Sequence, residues 1–222
     1  MKKIIILCVI YVFPLVSLAQ TWDTFKIDST VSVKLPKGFR KIETNKKYSL
    51  VARTSFGTIL FFKTPDIPLV TPDIEKDRHL RNFYDSYLKS VKTSSSDALI
   101  TSEEDNLIGK LKVKDFTLQT DTGGGILFRD FRILHANGAT YIFEFLYQKI
   151  HEEYAKPERD KFFNSIEVNE NLSRSDQYTS QTLNPKKPNN TKVLIWGGIV
   201  ILMSVGLTIF LVTRKKNQRL NS

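Results

Sequence analysis

The side chains that could do chemistry are few. His79, His135 and His151 are the only histidines, and the one cysteine, Cys8, lies in the first nineteen residues. No two histidines have metal-ligand spacing, and His151-Glu152-Glu153-Tyr154 lacks the second histidine that a helical zinc motif needs on the same face. There is no GxSxG turn to expose a serine nucleophile. Thr122-Gly123-Gly124-Gly125 has the glycines of a phosphate cradle but neither the GK[ST] ending nor a following helix, so it reads as a hairpin loop. Glu103, Glu104 and Asp105 sit together at an expected turn, where carboxylates are ordinarily solvated. Two weaker groupings remain as candidate sites. One is an apolar lip, Ile67, Leu69 and Val70, in a segment whose three prolines forbid regular pairing. The other is a polar pair, Arg129 and Glu144, on neighbouring strands. The residue types therefore point to no catalytic, cofactor-binding or metal-binding group, and to a chain that is not an enzyme.

The elements that position these residues follow from periodicity. Asn137-Gly138 is a two-residue type I′ turn joining strands 126–136 and 139–148. That register places Leu134 opposite Tyr141, Arg132 opposite Phe143, Ile133 opposite Ile142 and Phe131 opposite Glu144, with Arg129 diagonal to Glu144. Both faces of the hairpin are partly apolar, so the sheet is expected to be covered on both sides. Shorter strands are expected at 22–27, 31–35, 48–52 and 58–62. A helix is expected to open at Pro72 with Thr71 as its cap, carrying Leu80, Phe83, Tyr84, Tyr87, Leu88 and Val91 on one face. Residues 98–103 and 107–119 read as a strand pair around Asp105-Asn106. The change of apolar parity from Leu111 and Val113 to Phe116 and Leu118 suggests a bulge near Asp115. Pro157 is expected in the first turn of a last helix.

Targeting signals bracket this domain. Lys2-Lys3, an apolar run and Ser17-Leu18-Ala19 have the form of a secretory signal peptide, residues 1–19. Near the other end, residues 193–212 carry no charge over the roughly 20 residues a helix needs to span a bilayer. Arg214, Lys215, Lys216 and Arg219 follow it and mark residues 213–222 as a cytoplasmic tail. The expected plan is an extracytoplasmic domain over 20–168, a disordered polar stalk over 169–192 and one transmembrane helix. That plan makes the chain a single-pass protein of the inner (cell) membrane, with its domain in the periplasm. The two basic residues of the signal and the four of the tail account for six of the formal charge of +10, leaving +4 outside the membrane. Such a balance does not call for nucleic acid as a partner, and export argues against it. Once Cys8 leaves with the signal, no disulfide is possible, which fits a bacterial envelope.

Val33-Lys34-Leu35-Pro36-Lys37-Gly38-Phe39 near the start and Lys161-Phe162-Phe163-Asn164-Ser165-Ile166 near the end, with the element order between them, resemble the PsbP-like family over about residues 22–168. The resemblance implies an α+β fold, a mainly antiparallel sheet flanked by helices on both faces as an α/β/α sandwich. It implies an accessory or interaction role and transfers no functional residue. The expected function is a non-catalytic, membrane-tethered interaction domain with a protein partner in the envelope. A binder of a lipid or other apolar small molecule is the alternative, and a hydrolase comes third.

Overall fold

A computed structural model of the chain describes residues 20–44, 47–68, 70–95 and 97–179. The expected signal peptide, transmembrane helix and basic tail lie outside the described residues. No described helix is long and apolar enough to cross a membrane.

The Asn137-Gly138 turn organises the sheet. Both residues have positive φ, +50° and +67°, as a type I′ turn requires. It joins β8 (Ile126–Ala136) to β9 (Ala139–Gln148) in the expected register, with Leu134 opposite Tyr141 and Phe131 opposite Glu144. Around this hairpin stand β3 (Arg40–Thr44), β4 (Lys47–Arg53), β5 (Gly57–Pro65), β6 (Leu99–Ile108) and β7 (Leu111–Asp121). Together they form one antiparallel sheet in the order β3-β4-β5-β9-β8-β7-β6. A smaller sheet pairs β1 (Trp22–Lys26) and β10 (Glu167–Val168) on either side of β2 (Val31–Pro36).

The large sheet is buried on both faces, so its central strands carry apolar side chains at consecutive positions. On one face α1 (Asp77–Thr93) lays Leu80, Phe83, Tyr84, Tyr87, Leu88 and Val91 over Phe116, Leu118, Phe131, Ile133 and Ile142. On the other, α2 (Glu152–Asn164) and the small sheet bring Phe162, Ile166, Val33 and Leu35 against Val113, Leu134, Tyr141, Phe143 and Phe145. Helices thus cover both faces, and the small sheet shares one of them.

Two-sided burial also explains the parity change in β7. Leu111 and Val113 face the α2 layer, while Phe116 and Leu118 face α1. No bulge near Asp115 is needed, and the β7–β8 ladder runs unbroken from Val113 to Asp121. The irregularity lies in β6, between Ile100 and Ser102. The turn between β6 and β7 is at Gly109-Lys110 rather than Asp105-Asn106, and Gly109 supplies its positive φ of +57°. The expectations also lacked β3.

Three further boundaries move. The first helix opens at Asp77, not Pro72, because Thr71 is used otherwise: its hydroxyl accepts the Ile67 N–H at 2.9 Å. The second opens at Glu152, straight after a 3-10 turn at Lys149–His151, and holds Pro157 in its interior. The third is the stalk. Residues 169–179 pack on the domain instead of hanging free, so the folded chain extends to Thr179. The polar composition hides two apolar anchors, the buried Leu172 and the partly buried Tyr178, and one polar plug, Gln177, which is fully buried. The Gln177 side chain donates to the carbonyls of Lys112 and His135 at 2.8 and 3.0 Å and accepts the Lys112 N–H at 2.8 Å. Asp77 is bound by Lys112, Arg174 and the Tyr178 hydroxyl, which fastens this segment to the start of α1. Thr179 and Ile74 exchange bonds in both directions: the Thr179 N–H donates to the Ile74 carbonyl at 2.8 Å, and the Ile74 N–H to the Thr179 hydroxyl at 2.7 Å.

Replacing Gln177 by Leu keeps the volume but takes a partner from the Lys112 N–H and from the Lys112 and His135 carbonyls, of which the Lys112 carbonyl keeps the Tyr84 hydroxyl. Gln177→Leu is expected to cost about 2–4 kcal/mol in urea unfolding. A loss below about 0.5 kcal/mol would show that the segment is only resting on the surface.

Candidate functional site

Among the described residues, four of the places where polar or exposed apolar side chains gather differ in their chemistry. The first is the pair expected from the sequence. Arg129 Nε donates to Glu144 Oε1 at 2.5 Å. Both side chains lie on the α1 face, 6% and 0% exposed, and the Arg129 guanidinium stacks over Phe131 at 5.0 Å. Burial disfavours the arginine charge, and Glu144 more than restores it, so its pKa sits above the usual value. Glu144 Oε2 has no hydrogen-bond partner among the described residues. Sealed beneath Tyr87, which is itself fully buried, the pair has no open path to a substrate and serves the packing of α1.

The second is a polar cleft of about 360 Å³ on the opposite face, between α2 and the β6–β7–β8 edge. Arg132 grips Asp115 with two bonds, 2.8 and 2.6 Å, donates to the Phe163 carbonyl and stacks on the Phe163 ring. Beside it a chain of hydroxyls runs inward. Ser102 donates to Thr117, and Thr117 donates to Asp130 at 2.6 Å. Burial holds the Asp130 carboxyl above the usual carboxylate value, against the opposing pull of Thr117 and Arg159. Arg159 bridges Asp130 and Asp160. Each guanidinium is therefore answered by carboxylates. The acidic run 103–105 divides by parity here. Glu104 lines the cleft, while Glu103 and Asp105 on the other face hold the buried Lys114 ammonium at 2.6 and 3.1 Å.

The third was not anticipated. Phe56, in the β4–β5 turn, stacks on Tyr154 of α2 at 5.2 Å and lies 5.8 Å from His151. Ile150, which precedes His151 in the 3-10 turn, is 78% exposed and Tyr154 63%. This patch is held rigidly. Glu158 accepts the Ser55 and Phe56 N–H groups on its two oxygens, at 3.0 and 3.1 Å. Gly57 closes the turn where any Cβ would stand 2.6 Å from the Phe145 ring. The contributing residues are about a hundred positions apart in sequence, which is why no local motif marks them.

The fourth is the proline loop. Ile67 is 48% exposed, Val70 is half-buried with its N–H bonded to the Ile67 carbonyl, and Leu69 lies outside the described residues. Just before it, Asp66 Oδ2 faces the fully buried His135 Nε2 at 3.7 Å. Burial pushes the Asp66 carboxyl up to about 6 and the His135 imidazole down to about 4. Among the described residues no group of three or more His, Cys, Asp or Glu is placed to hold a metal ion.

Two outcomes follow from this geometry. Glu144→Gln and Arg129→Met each leave a buried charge or polar group unanswered and should cost about 3–5 kcal/mol in chemical denaturation. The double variant Arg129→Met with Glu144→Leu should cost less than the sum, and additive losses would mean that the two side chains act separately. Titration of Asp66 and His135 gives the second. The raised Asp66 pKa adds stability at low pH that is lost as pH rises through about 6. The depressed His135 pKa adds stability at high pH that is lost as pH falls from 6.5 through about 4. The two slopes offset one another in the shared window. Asp66→Asn removes one of them, so its stability relative to the native chain should fall by on the order of 2 kcal/mol between pH 6.5 and pH 4. Parallel stability curves for the two proteins would contradict the assignment.

No protein-family model matches the chain, and no curated protein matches it. Solved structures do. Cyanobacterial PsbP (CyanoP) from Synechocystis superposes with a TM-score of 0.51 at 11% identity, over 70% of this chain and 96% of that protein. The Ran-binding protein Mog1p of Saccharomyces cerevisiae gives 0.41 at 5% identity, over 72% and 100%. LpqN, involved in cell envelope biogenesis in Mycobacterium tuberculosis, gives 0.39 at 9%, over 68% and 92%. At these identities the likeness is one of fold. The PsbP-like arrangement expected from the sequence is present: an α+β domain with antiparallel sheets and two helices.

Proposed function

We propose that this chain is a non-catalytic interaction domain, held outside the cytoplasm by one C-terminal membrane helix and accessory to a protein complex of the cell envelope. The observation that carries the reading is the Phe56–Ile150–Tyr154 patch. Large apolar side chains left in water on a rigid support mark a surface made for a partner. Aromatic residues buried at the centre of an interface supply most of its binding energy. The patch also lies at the end of the sheet away from the chain's exit. Gly57 and Gln148 mark that far end, and Gln20 is bonded there to the Arg53 carbonyl at 3.0 Å. The other end carries Pro65, Asn137-Gly138 and the fastened segment up to Thr179.

The chemistry of the other sites supports a binding role over catalysis. In the cleft, the carboxylates Asp115 and Asp130 are engaged by Arg132 and Arg159. A general base must be free to take a proton from a bound substrate. The membrane reading draws on residues 1–19 and 193–212 of the sequence.

A photo-crosslinking residue at Ile150 in the exported full chain should give one discrete protein adduct in cells. Tyr154→Asp should weaken that adduct at least tenfold with an unchanged melting temperature. An adduct indifferent to Tyr154→Asp, or one formed equally from Lys89 on the exposed side of α1, would remove the patch as the interface.

A further inference from the structure

The described chain ends at Thr179, and its place in the fold sets which end of the domain lies nearest the residues that follow. Thr179 is bonded in both directions to Ile74, four residues after Val70. The proline loop is next to it: the Asp66 N–H donates to the Gly138 carbonyl at 2.7 Å, and the Asn137 N–H to the Asp176 carbonyl at 2.8 Å. Ile67, Pro68, Lys110 and the Asn137-Gly138 turn are therefore exposed on one end of the sheet, around the exit. From Thr179 only residues 180–192 remain before the apolar segment at Val193. A chain of thirteen residues has a root-mean-square reach of roughly 20 Å. An 11-residue strand such as β7 is about 35 Å long. Lys186, Lys187 and Lys192 lie in that connection and Lys110 in the adjoining turn, and each is drawn toward anionic headgroups.

We propose that this end, with Ile67 and Pro68 as its apolar contact and Lys110 beside them, rests on an anionic lipid bilayer and points Phe56, Ile150 and Tyr154 away from it. The inference rests on the membrane helix of the proposed function. A short connection fastened at its base gives the bilayer a high effective concentration at this one end. One exposed isoleucine and a few lysines, too weak to bind lipid alone, suffice under those conditions.

The test uses the full chain, exported and purified from membranes, with Cys8→Ser so that one added cysteine is unique. Ile67→Cys, Lys110→Cys and Tyr154→Cys are labelled with an environment-sensitive fluorophore in vesicles of phosphatidylglycerol and phosphatidylcholine carrying a headgroup-level quencher. Labels at 67 and 110 should be quenched at least threefold more than the label at 154. Equal quenching at all three sites on protein that stays with the vesicles through an alkaline wash overturns the orientation and leaves the membrane helix standing. Protein released by that wash overturns the helix and the orientation together.

Discussion

The register of the β8–β9 hairpin is the constraint on which the rest of the domain depends. Side chains alternate across a strand, so a slip of one residue would send every side chain to the other face. Here both faces are buried, and each has its own cover. A slip would put Arg129 and Glu144 under α2 and the small sheet, and would drive Phe143 and Phe145 toward α1. Neither layer could accept the exchange, because each is packed around particular shapes. The Asn137-Gly138 turn excludes the slip locally, and the two covers exclude it globally. Local turn chemistry and long-range packing thus select the same arrangement, which is the condition for a single native state.

What was legible in the sequence was whatever is encoded within a few residues. The type I′ turn, the hairpin pairs that follow from it and the apolar face of α1 all belong to this class. The Arg129–Glu144 pair was legible because it is a consequence of that same register. Longer-range effects were not. The parity change in β7 looked like a local distortion because nothing nearby shows that the sheet is covered differently along its length. β6 is polar along most of its length, so its alternation gave no sign of where it ended; Gly109, with its positive φ, was the one available marker. Thr71 and Pro72 had the residue types of a helix start, but a pairing with Thr179, more than a hundred residues on, keeps Ile74 out of the helix. The segment after Val168 looked like a stalk because its anchors, Leu172, Gln177 and Tyr178, are few and set among polar residues. The aromatic patch and the polar cleft arise where α2 comes back to the sheet.

The domain sorts its polar groups by depth. Lys114 and Arg129 are buried toward α1, each with its own carboxylates. Arg132 and Arg159 stand in the open cleft toward α2, again with carboxylates beside them. Charge is balanced locally, so each of these cations has a carboxylate beside it. Of the exposed apolar side chains, Phe56, Tyr154 and Ile150 share one place, which a buttressed turn holds in shape, while Leu99 and Leu107 stand singly along β6.

The clamp of residues 172–179 has a mechanical consequence. Any tension applied through the C-terminus reaches the Thr179–Ile74 hydrogen bonds first, then the Gln177 plug and the Asp77 cluster. These few bonds would open one after another, before the longer ladders of the large sheet to which they are fastened give way. The segment is a sacrificial fastening: it yields first under a pull, and the hairpin at the centre of the domain keeps its ladder.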